Sequence, residues 1–106
     1  MATAIEVISE QEFVSELDEK EDNPTRWKIK RLDGVQYIEV CRAGAVDYNL
    51  AIMYGLVGWE NFNDFDGNPV KYSAANIKRI PPLYLQDIGF EIMLKSELKG
   101  DARKNS

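Results

Sequence analysis

Asp64, Asp66 and Asn68 alternate around Gly67, and oxygen ligands alternating about a glycine turn are what a calcium loop requires. The register does not fit. With Gly67 at the sixth position of such a loop, Phe62 falls at the first and Ser73 at the twelfth, where carboxylates are needed. Asp and Asn side chains in a run of this kind bond their own backbone, so a polar turn is expected. As a general acid and base, Glu60, Asp64 and Asp66 would need one carboxyl group raised in pKa by an apolar pocket, which a hydrated turn does not supply. The chain has no histidine and one cysteine, Cys41. This removes the usual general base, the Ser-His and Cys-His nucleophiles and the commonest transition-metal ligand. Cys41, beside Val40, reads as a small buried hydrophobe in a reducing, cytoplasmic-type setting. No catalytic residue, cofactor or metal site is expected, and the protein reads as a non-enzyme.

A second chemistry-bearing run is Arg26, Trp27, Lys28, Ile29, Lys30, Arg31, which places cations beside a stacking ring as a nucleic-acid face does. Four charges are few, and the net charge of -5 over 106 residues opposes a phosphate backbone. Nucleic acid is therefore not the expected partner; Trp27 and Ile29 should pack inward from a strand whose lysines are solvated. The first 22 residues hold eight acidic side chains against Lys20 alone, an acidic lobe that could fold back over these cations.

These groups must be positioned by a single domain over 1–98, with the acidic lobe at about 1–23 and a disordered polar tail at 99–106. Ser9 and Glu12 have capping-box spacing, with Ile8 and Phe13 as a staple, which predicts a short helix over about 10–18. Asn23-Pro24 breaks it, and the basic strand follows. Asp33 as N-cap, Gln36 at the third helical position and the Leu32/Tyr37 staple predict a helix over 33–43, although Val35, Tyr37, Ile38 and Val40 also suit a hairpin. Asp47 caps a second helix to about Leu56, with Leu50, Ala51, Met53, Tyr54 and Val57 as its apolar face. Gly55 and Gly58 end it, residues 59–72 read as a loop or small hairpin, Ser73 caps a short helix to about Arg79, and the last helix spans 83–98 with Leu85, Ile88, Ile92 and Met93 inward. The expected fold is mainly α with a small β component (α+β): about four helices, one basic strand and a possible hairpin. The apolar stretch 50–57 is far short of the roughly 20 residues that span a bilayer, and the N-terminus lacks the features of a secretory signal, so no membrane partner is expected.

Two stretches, NPTRWKIKRLDGVQYIEV and YGLVGWENFNDFDGNPVKYSAANIKRIPPLYLQDIGFEIMLKSEL, carry a resemblance. The second is similar to small proteins encoded among the tail genes of long-tailed bacteriophages and prophages, through Gly55, Leu56, Gly58, Trp59, Glu60, Asn61, Asp64, Asp66, Gly67, Pro69, Val70, Asn76, Ile80 and Pro81. The resemblance implies a tail assembly chaperone in the host bacterial cytoplasm, which binds the tape measure protein or tail tube subunits, with self-association possible. The acidic lobe departs from that pattern. A structural tail or head-to-tail component, and a small acidic inhibitor of a host defence complex, are the alternatives.

A chaperone must offer apolar surface to its client, and aromatic residues are the usual interface anchors. Trp59, Phe62, Phe65 and Tyr72 are accordingly the candidate partner-binding residues. For Trp59 and Phe62 the reading that they close the core at the helix end stands ahead of the interface reading. Phe65, between two aspartates, is the one expected to be exposed.

Overall fold

Alternation of apolar and basic residues makes Arg26–Ile29 a strand, β2, and puts Trp27 and Ile29 in the core. In the computed structural model, which describes residues 1–4 and 10–97, β2 is the central strand of a three-stranded antiparallel sheet. Its neighbours are β1 (Gln11–Phe13) and β3 (Leu56–Glu60). Among the described residues four α-helices complete an α+β fold: α1 (Gly34–Val40), α2 (Tyr48–Gly55), α3 (Ala74–Ile77) and α4 (Pro82–Ser96).

The helix starts follow their local chemistry. Asp33 accepts from the Gln36 backbone N–H at 2.7 Å while the Gln36 side chain accepts from the Asp33 N–H at 3.1 Å, a complete capping box. This selects a helix over the alternative hairpin. Asp47 caps α2 through Leu50 N–H, and Ser73 caps α3 through Asn76 N–H, each at 3.1 Å. Pro82 opens α4, where its missing N–H and fixed φ cost nothing.

The acidic segment corrects the expectation of a helix over 10–18. It forms β1 and then a single 3₁₀ turn, Glu16–Asp18, capped by Ser15. Pairing across Phe13↔Trp27 and Glu12↔Lys28 outweighs the helical pattern, because it completes one edge of the sheet. The Ser9 and Ile8 half of the expected cap, Leu98 and the tail 99–106 lie outside the described residues. A further correction concerns α2, which ends at Gly55 and passes directly into β3. Met53 is exposed and Ile52 takes the core position, while Val57 lies on β3 where the register slips opposite Lys28 and Ile29.

α2 and α4 pack closely because each offers a glycine to the other. A Cβ on Gly55 would stand 2.6 Å from Ile92 Cγ2, and one on Gly89 would stand 3.0 Å from Tyr48 Cδ1. The core between helices and sheet contains Trp27, Ile29, Leu56, Trp59, Ile88 and Ile92, with Leu32 and Val40 beneath α1. Cys41 is half-buried at the end of α1 and packs against this core. Ser96 terminates the packed face of α4 and receives the Leu32 N–H at 2.9 Å.

Candidate functional site

The candidate residues lie on one continuous segment. β3 carries Trp59 inward; the chain then turns at Asn61, whose φ of 59° asparagine tolerates better than most residues. Asn61 also accepts at its carbonyl from Thr25 Oγ1, which pins this turn beside the start of β2. Residues 62–70 fold back on themselves: Val70 N–H donates to Phe62 O, Asp64 N–H to Asn68 O, and Asn63 bridges Pro69. The expected small hairpin is this loop. Gly67 has φ +85° at its tip, where any side chain would be strained.

Asp64 occupies the centre of the tip. Its Oδ1 accepts from the backbone N–H of both Asp66 and Asn68 at 2.9 Å, so the carboxylate organises the turn. Among the described residues no group of three or more His, Cys, Asp or Glu could hold a metal ion.

The structure brings together Trp59, Phe62 and Tyr72 and leaves Phe65 apart. Trp59 contacts Phe62 edge-on at 5.2 Å between ring centroids and Tyr72 at 5.0 Å. Its indole N–H donates to Val70 O at 2.7 Å, and Tyr72 OH donates to Leu56 O at 2.7 Å, which ties the loop back to the root of β3. Two rings that the segment alone does not reveal join the cluster. Trp27 lies 5.9 Å from Trp59 and 5.3 Å from Phe62, and Tyr84 of α4 lies 6.1 Å from Trp27. Trp59 and Trp27 are buried, Phe62 is half-buried and Tyr72 is partly exposed, so this cluster chiefly seals the sheet. Phe65 projects fully into solvent from the tip of the loop.

The acidic lobe reaches α4 as well as the basic strand. Ser15 Oγ donates to Asp87 at 2.5 Å, Asp18 accepts from Tyr84 OH and Asp18 also accepts from Thr25 N–H at 3.2 Å. The hydrogen bond to Asp18 holds the proton on Tyr84 and pushes its pKa up to about 12, with burial and the Asp18 charge adding to it. Over the strand, Glu12 faces Arg26 at 3.8 Å, an exposed pair of small energetic weight. Lys28 pairs with Glu60 of β3 at 3.3 Å, and its alkyl stem covers Gly58. The lobe is thus held mainly by hydrogen bonds to half-buried partners and only lightly by surface charge.

A groove of about 550 Å³ lies between α2 and α4. Tyr48, Ile52, Leu85 and Phe90 give it an apolar lining, and Asn49, Gln86 and Asp87 supply polar groups. Asp87 also lines a neighbouring depression with Glu16, Leu17, Glu19 and Lys20. Along α4, Leu83, Phe90 and Leu94 are exposed at spacings of seven and four residues, so they form one stripe on the helix. No helix among the described residues is long and apolar enough to cross a membrane. Comparison of the chain with protein-family models, with curated proteins and with solved structures finds no match.

Proposed function

We propose that this chain is a non-enzymatic tail assembly chaperone of a long-tailed bacteriophage, which binds the tape measure protein or tail tube subunits in the host bacterial cytoplasm during tail morphogenesis. The observation that carries the reading is the apolar stripe of Leu83, Phe90 and Leu94 beside the α2–α4 groove, on a helix whose opposite face is locked into the core by Ile88 and Ile92. Such a surface fits a helical client through side-chain anchors at helical spacing. Phe65, which stands alone at the tip of the 62–70 loop, and the partly exposed Tyr72 offer further aromatic contacts, while Phe62 and Trp59 pack beneath. The surplus of acidic over basic residues keeps a protein with this much exposed apolar surface dispersed.

Co-expression with the tape measure protein of the same phage genome tests the role. The client should stay soluble and co-purify, and a Leu83→Ser/Phe90→Ser variant should lose both effects. An insoluble client that never co-purifies refutes the proposal. Mass spectrometry of purified virions should find the chain absent; its presence in stoichiometric amount would make it a structural component instead.

A further inference from the structure

We propose that the seat along α4 takes a helix of the client in which a lysine or arginine stands between apolar anchors, and that Asp87 reads this cation. The inference rests on the chaperone reading and adds what the client segment must carry. Leu83, Phe90 and Leu94 are exposed on α4. Asp87 follows Leu83 by four residues and precedes Phe90 by three, so a carboxylate stands within the apolar stripe. A wholly apolar helix laid on the stripe would press hydrocarbon against that charge and strip it of water. The loss is offset only if the partner returns a cation, so the same carboxylate that welcomes one segment rejects another.

The charges around Asp87 agree in sign. Ser15 Oγ engages its Oδ2, and among the described residues Oδ1 accepts no hydrogen bond. The depression that Asp87 shares holds Glu16 and Glu19 against one cation, Lys20, while Lys95, further along α4, is paired with Glu91 at 3.7 Å. The middle of the stripe is therefore a negative point, and its complement is a positive one. Tyr48, Ile52 and Leu85 give the adjoining groove its apolar wall, against which anchors on either side of the cation can lie. From Leu83 to Leu94 the stripe runs for about three turns, or about 17 Å, which accommodates two anchors and a central cation. One polar position in an otherwise apolar seam fixes register. Asp87 thus decides which stretch of a long client is held, and at what offset.

The test is fluorescence anisotropy with two dye-labelled synthetic helices of about 15 residues, identical in their leucine anchors, one with lysine and the other with glutamate between them. The full chain should bind the lysine peptide about tenfold or more tightly than the glutamate peptide, and the gap should narrow as salt rises. Asp87→Asn keeps an acceptor for Ser15 and removes the charge; it should bring the two peptides within about twofold of each other. Asp66→Asn makes the same change of charge at the tip of the distant loop and should leave the preference intact, which separates a local reader from net charge. Phe90→Ser, at a site 60% exposed, should weaken both peptides alike. Thermal melts check that each variant folds, and the wild-type comparison is decisive by itself. Equal affinity of the wild-type chain for the two peptides, or no binding of either at about 1 mM, overturns the inference. So does a preference that survives Asp87→Asn, or one that Asp66→Asn abolishes as well. Client solubilisation is read separately: a client held by a chain that does not tell the peptides apart would refute the role of Asp87 and spare the chaperone. An insoluble client with the lysine preference intact would refute the chaperone role alone.

Discussion

Replacing Gly55 by alanine should damage the protein out of proportion to one methyl group. The new Cβ would lie 2.6 Å from Cγ2, 2.9 Å from Cδ1 and 3.0 Å from Cγ1 of Ile92, a fully buried side chain. Forcing a methyl into such a core costs about 1–3 kcal/mol. Better helix propensity returns at most about 1 kcal/mol, and less at the last residue of a helix. A net loss of about 1–2 kcal/mol should lower the melting temperature by about 4–15 °C. Ile92→Ala alone should cost about 2–5 kcal/mol through the cavity it leaves. In the double variant the methyl introduced at position 55 occupies part of that cavity, so the pair should be less destabilised than the sum by about 1 kcal/mol or more. Urea titration of the four proteins, at equal slope, measures the coupling. A Gly55→Ala protein that melts with the wild type, or strict additivity across the cycle, would refute the close α2–α4 contact.

Three further outcomes are expected. Tyr84 has its pKa raised above the value of about 10 it has when unfolded, so its contribution is complete below pH 10 and disappears as pH climbs from 10 to 12. The urea midpoint should fall over that window, and Tyr84→Phe should flatten the fall in part, since Tyr37 and Tyr54 are raised as well. Deleting residues 1–22 should destabilise the protein by about 3 kcal/mol or more, because it removes β1, the packing of Phe13 and the partners of Tyr84 and Asp87. A truncated chain with an unchanged cooperative melt would show that the lobe is dispensable. Phe65→Ser should leave stability within about 0.5 kcal/mol, whereas Trp59→Ala should cost about 3–5 kcal/mol; thermal melts separate the two rings.

What the sequence discloses here is what neighbours in the chain decide. Asp33, Asp47 and Ser73 cap helices through residues three positions on, and all three caps are readable from spacing alone. The turn at Asp64 is local in the same sense. β1 is three residues long and exists only because β2, more than ten residues away, accepts it. Ser15 caps a 3₁₀ turn because its hydroxyl is held by Asp87, 72 residues distant. Gly58 reads as a helix terminator but lies within a strand, under a lysine stem that no local pattern announces. The same division holds for the candidate residues. The aromatic run 59–72 is visible in the sequence, while the joining of Trp27 and Tyr84 to it, and the groove beside Phe90, depend on how distant elements meet.

The strand order has a consequence for how the chain is made. β2 lies between two partners, but β3 is separated from it by α1 and α2, so the sheet cannot close as a simple hairpin. As the polypeptide leaves the ribosome, β1 and β2 can pair early, and the other edge of β2 then waits for residue 60. An open edge carrying Trp27 and Ile29 invites pairing with a neighbouring nascent chain. Arg26 and Lys28 alternate with those two residues and place two like charges along that edge. Their cross-strand pairs contribute little to the finished protein, but during the interval before β3 arrives they act as gatekeepers that repel an identical edge.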